Sequence, residues 1–387
     1  MARQALGHSS VSDRGGGSLV AAGVRSSNSQ LSGAHEALLV CATLTDRTSP
    51  PTQLSAPPRA LSALAEQYGL TLIGPDRDIR GFGGITSRLS NRDQLLTWAG
   101  TPSYLAAFAE SNIAACVAGE WARDAVPGGC SVLLTSGDPA EVFYTVFFDS
   151  VESGTWSTVF PHRGSRTEIS PTATIHEHVS LGDDCVVMDH VVVLPQTHIG
   201  DRVLIKPNAT IGGTGFQLGT VRGRRQLIPH AGGVVIGSDV SIGSSTCVDR
   251  GLFGEMTSIG DDTHIDNLVQ VAHSDEIGRG TTITASVEIS GSVSIGDGVW
   301  LAPRCAINHG TRVGDHSLVG IGAVVVRDVP AHAVAVGVPA RVVGWQCVCG
   351  TRLHKDDSDP SATRCSACSR AFDFASGEPV LVGTDSG

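Results

Sequence analysis

Lysine is almost missing from this chain: of 27 basic residues only Lys206 and Lys355 are lysine, a skew typical of GC-rich coding sequence rather than of a function. Basic clusters are missing too. With a net charge of -11, that excludes nucleic acid as the main partner and an anionic membrane as a docking surface. No apolar run approaches the roughly 18 residues that span a bilayer, and the opening MARQALGHSSVSDRGGGSLVAAGVRSSNSQ holds no hydrophobic signal segment. The expectation is a cytoplasmic protein with no membrane span.

What is present organises into blocks. At 387 residues, 41% of them hydrophobic, the chain is long enough for two or three domains with a substantial core. Residues 1–56, rich in Ser, Gly, Thr and Pro and ending in TSPPTQLSAPP, read as a mobile leader whose one periodic stretch is EALLVCATL. Residues 57–166 read as a small α/β domain. LSALAEQY closed by Gly69 predicts a helix and LTLIG a strand; SYLAAFAES predicts a second helix, and NIAACVAG and CSVLLTS two more strands. DPAEVFYTVFFDSV predicts a third helix opening on an Asp-Pro cap.

From Ile169 an aliphatic residue recurs at every sixth position through Ile211, again from Ile236 to Val248, and again from Ile259 to Val325, 23 positions in all. Small or β-branched residues such as Ala173, Cys185, Thr263 and Cys305 stand two places before many of them. A period of 3.6 cannot produce a strict six. A short strand plus a corner can, so three repeats close one triangular coil with the aliphatic residue on the axis, and successive coils pair into a solenoid. The interruptions at 212–235 and 249–258 must leave this prism as loops. The expected span of the prism is 167–343.

The C-terminal block has a third character. Cys347, Cys349, Cys365 and Cys368 form a CxC and a CxxC separated by 15 residues, two thiolate pairs suited to one tetrahedral structural zinc. A zinc ribbon is expected over 344–378, then a tail over 379–387. The other six cysteines read as core residues.

Two histidines are in phase. His273 follows the axial Val271 by two residues and His309 follows Ile307 by two; their separation of 36 residues is two full coils, about 10 Å along one prism face, with Gly291 between them. Two imidazoles flanking a missing side chain suit a substrate groove. Asp266, seven residues before His273, is a candidate to hold the tautomer of a histidine general base, and Gln270 a candidate polar selector.

DNLVQVAH, the preceding VDRG, the loop GGTGFQ with its later IPHAGGVVIG, and INHG at 307–310 resemble the UDP-3-O-acylglucosamine N-acyltransferases of the lipid A pathway over most of residues 60–325. The resemblance implies a left-handed β-helix and a homotrimer, with His273 as general base and Asp266 orienting it. It also implies uridine binding by the α/β domain, with Trp98 and Tyr104 stacking the base beside Thr101, and with Phe216 of the GGTGFQ loop and Gly291 at the substrate. Trp98, Thr101 and Thr214 depart from the family's usual residues, and His309 precedes its glycine where the family's second histidine follows it. The ending VGVPARVVGW plus the cysteines resembles instead nucleotide-sugar N-acetyltransferases that use coenzyme A. The expected reaction is acyl transfer from an acyl carrier protein or coenzyme A thioester to the amine of a nucleotide-linked amino sugar, with Arg222, Arg224 and Arg225 as candidate phosphate contacts. Two rivals are a non-catalytic hexapeptide scaffold and a zinc lyase of the carbonic anhydrase kind, the latter lacking its third histidine at Gly314.

Overall fold

The computed structural model describes residues 53–87, 89–354 and 362–382; EALLVCATL, Cys41 and the leader up to residue 52 lie outside them. The hexads form a left-handed β-helix. Its faces are sheets of eight, eight and eleven strands, parallel except that the eleven-stranded one ends in the antiparallel strands Arg341–Gln346 and Arg352–Leu353; prism strands pair with the one a coil later, as in Val271↔Ile289 and Ile289↔Ile307. Leu181 and every later sixth-position aliphatic residue are buried on the axis, whereas Ile169 and Ile175 in the first coil are partly open because no coil precedes them. Cys185 and Cys305 are axial core residues as expected.

The residue three places after most axial aliphatics turns the corner in the left-handed region: Asp184, Asn208, Asp262, Ser274, Ser286 and His316 all have φ between 54° and 63°. That need explains the recurrence of Asn, Asp, Ser, His and Gly there. Aspartates reinforce other corners, where Asp201, Asp261, Asp297 and Asp315 accept hydrogen bonds of 2.7–2.9 Å from the backbone N–H of the neighbouring coil.

The α/β region is a five-stranded sheet ordered Thr71–Ile73, Ser131–Thr135, Ala115–Gly119, Leu95–Ala99, Gly81–Phe82. The helices Leu61–Tyr68, Pro102–Ala109 and Pro139–Glu152 fall where the sequence places them; Gly69 caps the first at φ 63° and Asp138 caps the third through the Ala140 N–H at 2.9 Å. Strand Leu95–Ala99 was not anticipated, since LLTWA is buried on both faces and carries no alternation.

The two excursions from the prism position the site. The first forms an antiparallel hairpin, Leu218–Val221 with Arg224–Leu227, docked on the third helix: Arg222 pairs with Asp149, the Gly223 N–H donates to Glu141 at 2.6 Å, and Gln217 donates to the Tyr144 hydroxyl at 3.2 Å. Arg222 is therefore committed to Asp149 and is not free for a phosphate. The second excursion inserts Leu252 and Phe253 into the core that Phe82, Phe143 and Phe147 form beneath that helix.

Three boundaries shift. Leu54 and Ala56, assigned to the leader, are buried; the Leu54 N–H donates to Gly254 O at 2.7 Å and the Ala56 N–H to Arg80 O at 2.8 Å. His162–Arg163 already pairs in parallel with the prism strand Val179–Leu181. At the other end, Val380–Val382 joins a three-stranded ribbon sheet with Ala362–Arg364 and Ala371–Asp373, so only residues 383–387 of the expected tail lie outside the described residues. Among the described residues no helix is long and apolar enough to cross a membrane.

Candidate active site

Val271 faces the axis, so His273 two places on stands at the rim of the corner that follows. It is 8% exposed and borders a cavity of about 740 Å³ between prism and α/β region, whose wall includes Trp98, Tyr144, Phe253, Ser274 and His309. His309 borders the same cavity, and the Gly310 N–H beside it donates to Gly291 O at 3.2 Å. A Cβ on Gly291 would come within 2.6 Å of His273 Cε1 and Nε2, so only glycine leaves the imidazole in place there.

Burial, and secondarily the neighbouring His309, hold the His273 imidazole below its ordinary pKa. It is neutral at neutral pH and able to accept a proton. His230 lies edge-on to it with ring centroids 5.3 Å apart. Burial and the proximity of His273 push His230 down to about 4, and His230 Nδ1 bonds Ile228 O at 3.2 Å.

Other expected residues are placed differently. Asp266 does not bond His273. It sits on the preceding corner, between strands His264–Ile265 and Gln270–Val271, with its N–H on Ile283 O and its carbonyl receiving the Thr246 hydroxyl. Seven residues carry the chain across a whole face, so the two side chains leave from different edges of the triangle. Gln270 donates instead to Asp249 at 2.7 Å. Trp98 lines the cavity, tilted against Phe143 and Tyr144 with centroids at 4.5 and 5.6 Å. Tyr104 is 58% exposed, outside the cavity lining, on a helix that Thr101 caps; Tyr144, not Tyr104, is the second ring near Trp98. Phe216 is 78% exposed and also outside the lining.

Sequence reasoning missed Tyr144, Phe253, His230, Ser274 and Glu255. Ser274 Oγ lies 3.4 Å from His273 Nδ1 and donates to Glu255 Oε1 at 2.9 Å. Its adjacency to His273 was the available signal; Glu255 lies in an irregular excursion where no period marks it. His316, the residue out of register for a third histidine ligand, packs against His332 with centroids 5.3 Å apart.

At the C-terminus the four cysteine Sγ atoms lie within 4.8 Å of one another, with Cys347 to Cys368 at 3.4 Å and Cys349 to Cys365 at 3.6 Å. Tetrahedral coordination with Zn–S near 2.3 Å requires S···S of about 3.8 Å, so the donor set fits one zinc.

Residues 178–213 match the family described as bacterial transferase hexapeptide (six repeats). The UDP-3-O-acylglucosamine N-acyltransferase of Anaeromyxobacter dehalogenans is 40% identical over 121 residues, 30% of this chain and 34% of that protein. UDP-3-O-acylglucosamine N-acyltransferase 2 of Legionella pneumophila is 48% identical over 83 residues, 21% of this chain and 24% of that one. Among solved structures, a UDP-N-acetylglucosamine acyltransferase from Campylobacter jejuni aligns at TM-score 0.43 and 21% identity over 48% of this chain and 70% of its own, too loose a likeness to carry weight. The chain spans about a third of the length of the first of these curated relatives. The chain thus carries stacked hexapeptide repeats and is similar, over about a third of their length, to UDP-3-O-acylglucosamine N-acyltransferases.

Proposed function

We propose that the chain transfers an acyl group from a thioester, carried by an acyl carrier protein or coenzyme A, to the amine of a nucleotide-linked amino sugar, working as a homotrimer. The observation that carries this reading is a neutral imidazole whose Nε2 edge faces Gly291, bordering a cavity whose far wall is aromatic. The amine nitrogen attacks the thioester carbonyl carbon. His273 Nε2 takes the proton the amine sheds as the C–N bond forms, the C–S bond breaks, and His273 returns the proton to the departing sulfur. Backbone N–H groups at the Gly291 corner are the proposed donors to the oxyanion. Trp98 and Tyr144 offer ring faces to a nucleobase, and His309 contacts the acceptor. The four cysteines hold a structural zinc, which supplies ribbon stability and no chemistry.

The test is mass spectrometry of UDP- and dTDP-amino sugars incubated with the purified chain and acyl thioesters of both kinds. An N-acylated sugar is expected, with His273→Ala lowering turnover by roughly 10² to 10⁴ while the circular dichroism of the prism is kept. No product from any pair, or full turnover in His273→Ala, would replace this reading with the scaffold.

A further inference from the structure

We propose that Glu255 is a positioning residue that acts on His273 through the Ser274 hydroxyl, fixing the imidazole as the Nδ1–H tautomer with a free lone pair on Nε2. The proposal rests on the reading of His273 as the base and names the group that orients it.

The geometry starts from Ser274. Its backbone is pinned in the left-handed corner at φ 61° and its N–H donates to Thr257 Oγ1 at 2.9 Å. Three groups then meet its hydroxyl oxygen: Glu255 Oε1 at 2.9 Å, the Leu252 N–H at 3.2 Å and His273 Nδ1 at 3.4 Å. A hydroxyl has one proton and two lone pairs. A carboxylate only accepts, so the proton points at Glu255. The Leu252 N–H only donates and takes one lone pair. The remaining lone pair faces His273, which must therefore donate, and Nδ1 carries the hydrogen. Nε2 is left unprotonated, on the edge that faces Gly291.

Glu255 is itself held. Its Oε2 accepts the Phe253 N–H at 2.9 Å. Burial holds its carboxyl above the usual carboxylate range on balance, and the Ser274 hydroxyl and the backbone N–H groups of Glu255 and Phe253 offset this in part; the tautomer follows from the ionised form, to which these groups donate. Asp266 is on another corner, Asp249 accepts from Gln270 at 2.7 Å, and Asp275 Oδ1 accepts the Val293 N–H at 2.8 Å. His230 and His309 are the imidazole neighbours of the ring, Asp249 lies across the Gly215 position from its Cδ2 edge, and Glu276 lines the same cavity. When His273 takes the amine proton, the imidazolium stands two hydrogen bonds from a carboxylate. The His–Ser contact is long at rest, as catalytic hydrogen bonds often are before substrate binds. The second break in the hexad series thus has a use: only a loop leaving the prism brings residue 255 back beside the corner one coil later.

The experiment reads the ring directly. In full-length protein labelled with 15N-histidine, with His273 assigned by loss of its signals in His273→Ala, the expected wild-type spectrum above neutral pH shows Nδ1 protonated and Nε2 bare. Ser274→Ala should mix the tautomers and lower the His273 pKa. Glu255→Gln should do the same, because an amide can donate or accept and no longer sets the hydroxyl's direction. Where turnover is measured, these two variants should lower kcat about tenfold to a hundredfold at unchanged KM, less than loss of the base itself. An Nε2–H tautomer in the wild type, or an unchanged tautomer and pKa in both Ser274→Ala and Glu255→Gln, overturns the proposal. Because the spectrum needs no substrate, an Nδ1–H tautomer that responds to these variants would stand even if no acyl transfer were found; that failure would fall on the acyltransferase reading alone.

Discussion

The prism and the ribbon solve the same problem from opposite ends. In the prism one axial aliphatic per six residues, often with a small or β-branched residue two places before it, suffices, because every coil lends its neighbour a floor; the core runs unbroken from Val179 to Ala335. The ribbon has no such stacking. Its buried cluster is Cys347, Leu353, Cys365, Phe372 and Phe374, and two of those five are metal-ligand candidates. A region that small cannot offset the entropy of ordering its loops by burial alone. The difference teaches that repetition substitutes for size, and that where repetition stops a cross-link must take over. The two regions also meet: strand Arg341–Gln346 pairs with Ala333–Val336 on one side and Arg352–Leu353 on the other, and His332 lies between Gln346 O, at 3.1 Å from Nδ1, and the Phe372 ring.

The largest expected effect is on the ribbon. Structural zinc sites are worth on the order of 10 kcal/mol of folding free energy, so chelation or Cys365→Ser should remove one zinc per chain by elemental analysis. It should also open residues 347–368 to proteolysis and leave the prism's circular dichroism in place. Collapse of the prism in the same step would break the comparison, making the ribbon a cap the solenoid requires. Next comes Ile289→Ala, in mid-prism one coil from the axial Val271 and fully buried. It should cost about 2–5 kcal/mol in urea unfolding, and a loss well below that range would mean the coils collapse around the gap. Smallest is Phe374→Leu, which removes the edge-on contact with Trp345 at 6.3 Å. About 1 kcal/mol is expected from the aromatic pair, read as a small rise in ribbon proteolysis. No change would show that the ribbon leans on the prism through its backbone strand alone.

The prism was legible residue by residue because a strict period leaves one face per position: Val271 had to be axial, so His273 had to be rim, and the phase of His309 followed. The cysteine spacing was legible for a similar reason, since ligands two or three apart on a turn have few other uses. Asp266 shows the limit. Spacing along a strand says which edge a residue leaves from, but the number of residues per corner decides whether two edges coincide, and here they do not. Trp98 was placed at the cavity and Tyr104 was not, because the helix that carries Tyr104 buries Leu105 and Phe108 and leaves Tyr104 on its exposed side.

What the sequence determined by itself is therefore the solenoid, its axial residues, the rim histidines and the four-thiol cluster, all consequences of short-range repetition or spacing. Only the tertiary structure decided what meets His273. Tyr144 comes from a helix in another sheet region, and His230 and Phe253 from excursions that leave the period. Glu255 comes from the same second excursion, 18 residues upstream of His273. Such partners are set by how loops fold back on packed surfaces, which depends on the summed burial of many distant side chains and leaves no local pattern to read.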